Sequence, residues 1–349
     1  MDNSLADFDE LTPDLVIEAV EAVLDTELTN YTQPMPSYIN RVYELKSESN
    51  DFYIAKFYRP GRWSHNALLE EHGFMLDCAA ADIPLAAPLP LTGLVTEDED
   101  TGTAQPAPTL GRIEGFPFAV FQRKGGRLWE AEDLDSWLRI GRLLGRMHNA
   151  GALRAARHRP VLSAEKSFAE DLDTLAGSDW IHPDIKDEVD AVLEKLQVLV
   201  GAMFSDYGES TDGYIRVHGD FHSGNILERP GEGLMLMDFD DMAMSLPVQD
   251  LWLLLPDHAP ESGKELTAIL EGYREFRGFN TETLMLIEPL RAMRIVYFLC
   301  WCGRQKNDFR FQHSFPDWGS KAFWMKEVQD LENQHDQIKR AIEEQRILF

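Results

Sequence analysis

The stretch His218-Gly219-Asp220-Phe221-His222-Ser223-Gly224-Asn225 is entered from the apolar Val217 and left through Ile226 and Leu227. After a hairpin-sized gap a second apolar run, Leu234-Met235-Leu236-Met237, ends in Asp238-Phe239-Asp240-Asp241. A chain with this pattern has to bury two short strands while keeping an Asp, an Asn and a carboxylate cluster at their ends. That layout suits metal-assisted group transfer.

A phosphoryl group in transit needs its charge neutralised and its acceptor hydroxyl aimed and relieved of a proton. Mg²⁺ takes carboxylate and amide oxygens together with phosphate and is seldom enclosed by protein alone. Asp220 is the candidate to aim the hydroxyl and accept its proton, Asn225 to offer an amide oxygen to the metal, and Asp238 to bind the metal from the strand end. Each residue alone also suits an ordinary polar turn. The set, held between apolar runs, does not.

Composition narrows the class. The net charge of −27 on 349 residues argues against a nucleic-acid or anionic-membrane binder, whose affinity needs a basic surface. An ATP site in such a chain must gather its own cations, and Lys56, Arg41 and Arg123 are candidates. Cys78, Cys300 and Cys302 have neither zinc spacing nor a disulfide framework and read as reduced core residues. The start of the chain is acidic where a signal peptide would be basic, and the most apolar run, residues 295–302, is too short to span a bilayer. A cytoplasmic location, with no membrane partner, is expected.

Along the chain, Thr12 and Pro13 open a helix with an apolar stripe of Leu15, Val16, Ala19, Val20 and Val23. Residues 39–45 and 52–58 read as two antiparallel strands that begin a sheet, and a helix follows over 67–80. Lys56 lies on the second strand, where it would reach ATP phosphates, and Glu70 and Glu71 on the helix are its potential partners. Pro84, Pro88 and Pro90 imply an extended strand, residues 96–108 an acidic surface excursion, and residues 116–121 a buried strand. The Gly125-Gly126 link marks the lobe boundary and hinge. Beyond it, residues 133–149 form an amphipathic helix in which Gly141 and Gly145 permit close helix contact and His148 is a satisfied core histidine. Asp250 opens an apolar helix, residues 287–304 form a buried one, and Val328, Leu331, Ile338 and Ile342 mark the last.

His-Gly-Asp-x-x-x-x-Asn followed by an apolar strand ending in Asp resembles the aminoglycoside phosphotransferase-like branch of the protein-kinase-like superfamily. Further blocks resemble, more specifically, the bacterial stress response kinase A family. They are Ser37-Tyr38-Ile39-Asn40-Arg41-Val42-Tyr43, Lys56-Phe57-Tyr58-Arg59-Pro60, Glu70-Glu71-His72, Val248-Gln249-Asp250-Leu251-Trp252 and Ile287-Glu288-Pro289-Leu290-Arg291-Ala292-Met293-Arg294. The blocks span nearly the whole chain.

The resemblance implies an α+β, two-lobed protein-kinase-like (aminoglycoside phosphotransferase-like) fold. A small N-terminal antiparallel sheet lobe, residues 1–122, covers the nucleotide; a larger, mostly helical C-terminal lobe, residues 123–349, carries catalysis and substrate, with ATP in the cleft between them. It further implies a monomer using ATP and Mg²⁺ and transferring the γ-phosphate to Ser or Thr hydroxyls of proteins, itself included, in a bacterial stress response. The wider superfamily phosphorylates small hydroxyl compounds of the aminoglycoside, choline or homoserine type, and that acceptor class stays open. By the same resemblance Ser37 contacts ATP from a turn that lacks the protein-kinase Gly-x-Gly-x-x-Gly, Glu71 rather than Glu70 holds Lys56, adenine meets backbone between Phe121 and Arg123, and Asp250 accepts hydrogen bonds from the catalytic-loop backbone. Asp240, Asp241 and His222 receive no role.

Gly219 stands where eukaryote-type protein kinases often carry Arg, and Asp238-Phe239-Asp240 replaces Asp-Phe-Gly, with little room before Asp250 for an activation segment. Constitutive competence is expected. A zinc site on His218, Asp220 and His222, sharing one face of an extended segment, is a weaker alternative, since it has no second His cluster and leaves Lys56 and Glu71 without a task. A nucleotide-binding module without turnover is weaker too, because every catalytic position is filled.

Overall fold

The computed structural model describes residues 8–37, 39–92, 108–208 and 213–348. The excursion expected at 96–108, apart from Pro108, lies outside the described residues, as does Tyr38. In chain order the elements are α1 (Pro13–Leu24), β1 (Leu28–Met35), β2 (Arg41–Ser47), β3 (Phe52–Phe57), α2 (His65–Ala80), β4 (Gly111–Ile113), β5 (Phe116–Gln122), β6 (Arg127–Leu128) and α3 (Leu134–Gly151). They continue with α4 (Ala169–Ala176), α5 (Lys186–Tyr207), β7 (Ile215–Val217), β8 (Ile226–Arg229), β9 (Gly233–Leu236) and β10 (Ala243–Ser245). The chain closes with α6 (Gln249–Trp252), α7 (Gly263–Arg274), α8 (Ile287–Gln305), α9 (Phe309–Ser314) and α10 (Lys321–Leu348). Two compact units interleave in sequence, one from residues 1–129, 156–159 and 224–240 and the other from 130–155, 160–223 and 241–349.

The first unit is built on an antiparallel sheet of order β1-β2-β3-β5-β4. Thr12 Oγ1 accepts the Leu15 N–H and Pro13 occupies the first turn, so α1 starts where capping chemistry places it. Its Val16, Ala19, Val20 and Val23 stripe packs with Leu45, Ala55, Phe57, Phe118 and Val120. Strand alternation then sends Lys56, between Ala55 and Phe57, to the opposite face. Lys56 is central, paired in register with Val42 on β2 and Ala119 on β5.

The sheet begins one strand earlier than residue 39. β1 is polar, largely exposed and contains Pro34, a residue an edge strand tolerates and an inner strand does not. β4 was also unforeseen; Glu114 (φ 44°) and Gly115 (φ 86°) form the tight left-handed turn that joins it to β5. Residues 83–92 do not make the expected strand. Three prolines remove ladder donors, so the segment is held by the isolated bridges Leu85–Leu236 and Pro88–Phe121 and by single hydrogen bonds such as Leu89 N–H to Val120 O at 2.7 Å and Thr92 N–H to Val23 O at 2.8 Å. A second sheet, β6-β8-β9, carries the expected hairpin, with Ile226 opposite Leu236.

The second unit is mostly helical. Asp133 caps α3 by accepting the Ser136 N–H at 2.9 Å. At Gly141 a Cβ would lie 2.0 Å from Ile269 O, and at Gly272 one would lie 2.1 Å from Leu138 O, so small residues on both helices let α3 and α7 touch backbone to backbone. α10 packs on α5 and α8, and the buried Trp324 donates its indole N–H to Trp180 O at 2.8 Å. A two-stranded ribbon pairs Val217 of β7 with Ala243 of β10. Cys78, Cys300 and Cys302 are buried thiols outside any disulfide. Among the described residues no helix is long and apolar enough to cross a membrane.

Candidate active site

In the first unit, burial collects charge around Lys56. Its Nζ lies 2.9 Å from Asp238 Oδ1, 3.5 Å from Asp240 Oδ1 and 3.7 Å from Glu71 Oε1. Glu71 is 1% exposed. Glu70, the other acid considered, turns away and accepts the Arg157 and His158 N–H groups at 2.7 and 2.8 Å. Two arginines close the cluster. Arg62 pairs with Asp240 Oδ2, while Arg159 donates to Asp240 O and lies 3.8 Å from Glu71 Oε2, its guanidinium 4.0 Å from the Trp63 ring centroid. Three carboxylates thus face three cations, the balance that interior charges need.

Titration follows from this packing. Burial, against the opposing charge of Lys56, lifts the Glu71 carboxyl to about 7. Burial, reinforced by Lys56 and Arg159, drops His72 to about 3, so its neutral ring links Tyr58 OH (2.9 Å) and Thr109 Oγ1 (2.8 Å). Burial alone would ease the proton off Lys56; Asp238, Asp240 and Glu71 reverse that and hold it well above its ordinary value. Lys56 is therefore a fixed positive charge.

The β8–β9 hairpin sets the other candidates of this unit. The Asn225 carbonyl, ending the short turn Ser223–Asn225, accepts the Met237 N–H at 3.0 Å, which ties Asn225 to the residue before Asp238. Phe239, fully buried, meets Phe74 of α2 edge-on at 5.5 Å and anchors the far side. Between these restraints Asp238 adopts φ 51°, a left-handed conformation costing a non-glycine residue roughly 1–2 kcal/mol. Its side chain stays 56% exposed. An Asn amide and an exposed Asp carboxylate, on residues linked through that one backbone hydrogen bond, are donor types that suit a hard divalent cation completed by phosphate and water. No group of three or more His, Cys, Asp or Glu able to hold a metal occurs among the described residues.

Ser37 is half-buried in the β1–β2 turn, which is pinned where Asn40 Oδ1 accepts the Arg59 N–H at 3.2 Å and Arg59 Nε donates to Ile39 O at 2.9 Å. Phe121 is a buried β5 residue opposite Ile54. The Arg123 N–H donates to Phe52 O at 3.0 Å, and its side chain pairs with Glu44 over the Phe52 ring. Arg41 is likewise turned to the Phe8 ring, 4.6 Å from its centroid.

In the second unit, Asp250 organises the loop bearing Asp220. Its Oδ2 accepts the His218 N–H at 2.7 Å and its Oδ1 the Gly219 N–H at 2.9 Å. Gln249 Nε2 donates to Gly219 O at 3.2 Å. His148, fully buried, meets Asp250 through Nε2 and the Tyr273 hydroxyl through Nδ1, which makes it the satisfied core histidine that was expected. Gly219 has φ 84°, and a Cβ there would sit 2.0 Å from Asp241 O. The loop is bent at this point, so His218, Asp220 and His222 do not line one face of an extended segment as the zinc alternative required. His218 is buried and its Nδ1 takes the Asp220 N–H at 3.4 Å.

Asp220 itself is held by Arg294 and His222. Arg294 Nη2 donates to Oδ1 at 2.8 Å, and His222 Nε2 lies 3.3 Å from Oδ2. Burial pushes this carboxyl up, but the His222 hydrogen bond and the charge of Arg294 outweigh it and hold the pKa down to about 2. Arg62, Arg159, Arg294 and the role of Asp240 went unforeseen; Arg294 alone had a signal, its place in the block from Ile287 to Arg294.

Residues 32–286 match the profile of the phosphotransferase enzyme family. Stress response kinase A of Escherichia coli (strain K12) is 36% identical over 331 residues, 94% of each chain. Serine/threonine protein kinase RdoA of Salmonella typhimurium (strain LT2) is 33% identical over the same share. Among solved structures, an amicoumacin kinase in complex with AMP-PNP, Ca²⁺ and Ami superposes with a TM-score of 0.68 at 18% identity, covering 94% of this chain and 93% of the other. That likeness establishes the aminoglycoside phosphotransferase-like, protein-kinase-like fold.

Proposed function

The chain belongs to the phosphotransferase enzyme family, and from that premise we propose that it is an ATP-dependent kinase that phosphorylates Ser and Thr hydroxyls of proteins in a bacterial stress response. The observation carrying the reading is the Lys56 cluster, a permanently charged lysine braced by a buried Glu71 and meeting an exposed Asp238 at 2.9 Å. The name of the Salmonella relative, a serine/threonine protein kinase aligned over 94% of the chain, supports the protein acceptor.

In this reading Lys56 pairs with ATP phosphates, Glu71 fixes its position, and Ser37 and the backbone around Phe121 contact the nucleotide. Asn225 and Asp238 would hold Mg²⁺, which neutralises phosphate charge when bound. The acceptor oxygen forms its bond to the γ-phosphorus as the bond to the β-phosphate oxygen breaks, ADP leaves, and the hydroxyl proton passes to Asp220. Positioning and charge neutralisation carry most of the rate. The buried thiols, outside any disulfide, suit a reducing cytoplasm.

Transfer of labelled γ-phosphate from Mg-ATP tests the reading in wild type, Asp220→Ala and Asp238→Ala, with the protein itself, a generic basic and a generic acidic protein, amino alcohols and aminoglycosides as acceptors. Label on protein Ser or Thr, lost in both variants, is expected. Label only on small molecules would move the function to metabolite or drug phosphorylation, and ATP binding without transfer to any acceptor would end the kinase reading.

A further inference from the structure

Arg294 lies on α8 and spends one donor, Nη2, on Asp220 Oδ1. A guanidinium presents five N–H donors in a planar fork matched to carboxylate. Its other recorded contact among the described residues is with the Tyr297 ring, 5.3 Å from the centroid, and the side chain is 34% exposed. Arg291, one turn earlier, is by contrast committed, donating to Asp257 O at 3.1 Å, 3.5 Å from Glu288 and set over Trp252. Arg294 is thus a cation beside Asp220 that spends one donor there and keeps 34% of its side chain exposed.

An ionised carboxylate offers about four acceptor sites, so a hydroxyl aimed by Asp220 binds alongside Arg294, not in its place. Whatever flanks that hydroxyl meets the open fork. The net charge of −27 would by itself draw basic acceptors, but charges farther than about 8–10 Å are largely screened at physiological salt. The cation within hydrogen-bond reach of Asp220 outweighs them. Beyond Arg294, at helical spacing on the same side of α8, come Tyr297, Phe298 and Trp301; Phe298 is 42% exposed and stacks on Trp301 at 5.7 Å. Phe315 and Phe311 back this run at 6.2 Å from Phe298 and 6.4 Å from Trp301. The aromatic shelf, two helical turns or about 10 Å long, is thus braced and presents Phe298, further from Asp220 than an amino alcohol reaches and suited to a peptide.

We propose that Arg294 selects the acceptor, taking the carboxylate of an acidic residue beside the Ser or Thr whose hydroxyl Asp220 aims, with the aromatic shelf of α8 supporting the peptide. The enzyme prefers acidic peptides and disfavours the cationic acceptors to which its own net charge would otherwise steer it. This inference rests on the protein-kinase reading above.

The test compares three peptides of one length in which a single Ser is flanked by Asp, Asn or Lys, with wild type, Arg294→Gln and Arg294→Glu. Wild type is expected to order kcat/KM as Asp above Asn above Lys, with about tenfold or more between the extremes. Arg294→Gln compresses the spread to about threefold, chiefly through KM, and Arg294→Glu inverts it. Because each variant is compared with itself across peptides, partial loss of folding lowers all three rates together and leaves the order readable. A wild-type preference for the Lys peptide, or an Asp preference that survives Arg294→Glu, overturns the inference alone. No transfer to any peptide, with label on a small hydroxyl compound or on nothing, overturns the protein-kinase reading and the inference together.

Discussion

Asp250 and His148 meet at 3.0 Å, Oδ2 to Nε2, with neither side chain exposed to solvent. The same carboxylate accepts the His218 and Gly219 N–H groups, so one buried acid fixes the backbone that presents Asp220. Asp250→Asn keeps the size but turns one acceptor oxygen into a donor facing another donor. A buried unsatisfied N–H costs about 1–3 kcal/mol. Asp250→Asn is therefore expected to lower both Tm and kcat, kcat by about a hundredfold, with the KM for ATP little changed. Denaturation and steady-state kinetics on one preparation check this, and a stable variant with full kcat would assign the Asp220 loop another anchor.

Glu71 predicts a pH effect on stability. Burial, opposed by Lys56, raises its carboxyl from 4.5 to about 7. The folded state then holds this proton more tightly than the unfolded state does. The resulting contribution is complete below about pH 4.5 and is lost as pH rises through about 7. Glu71→Gln, fixed in the neutral form, should gain on wild type as pH rises from about 5 to 8, by up to the order of 3 kcal/mol. Urea midpoints across that range measure the gap, which has to widen with pH. The same variant removes the brace on Lys56, so its KM for ATP is expected to rise while its stability improves.

Much of this arrangement was legible because it follows from local rules. Thr12 and Asp133 cap helices, the β3 alternation puts Lys56 opposite Ala55 and Phe57, and the apolar runs between Asn225 and Asp238 form the expected hairpin. What escaped lacks local pattern. β1 is a polar edge strand whose only partner is β2, and its burial cannot be inferred from its own residues. Arg62 and Arg159 come from irregular segments far apart in sequence and meet at Asp240, a contact that only the tertiary fold creates. Arg123 is a candidate ATP cation by sequence, which does not reveal that its guanidinium pairs with Glu44 across the sheet.

The α3–α7 contact yields a prediction confined to stability. Gly141→Ala would gain about 1 kcal/mol in helix propensity. Its Cβ, however, would lie 2.0 Å from Ile269 O, a backbone atom that no side-chain rotation can move. Overpacking of this kind typically costs 1–3 kcal/mol and more where backbone must shift. A net loss of about 2 kcal/mol is expected, seen in chemical denaturation, with KM values for both substrates unchanged. A stabilised Gly141→Ala would mean that the two helices separate freely.

Gly219 links conformation to regulation. With φ at 84° and a virtual Cβ 2.0 Å from Asp241 O, the position excludes any larger residue, including the arginine that eukaryote-type protein kinases often place before the catalytic Asp to read a phosphorylated activation loop. The stretch from Asp238 to Asp250 is meanwhile taken up by β10 and the start of α6, with most of its side chains buried, leaving no segment for phosphorylation to order. Two outcomes follow. Gly219→Ala should lose about a hundredfold or more in kcat and roughly 2 kcal/mol of stability, since both the left-handed backbone and the contact with Asp241 are violated. Phosphatase treatment of the wild type should leave its initial rate within about twofold, because no charge-reading arginine stands at this position. Mass spectrometry to establish complete dephosphorylation, followed by the labelled-phosphate assay, decides the second point; abolished turnover would mean that a phosphate elsewhere in the chain organises the site.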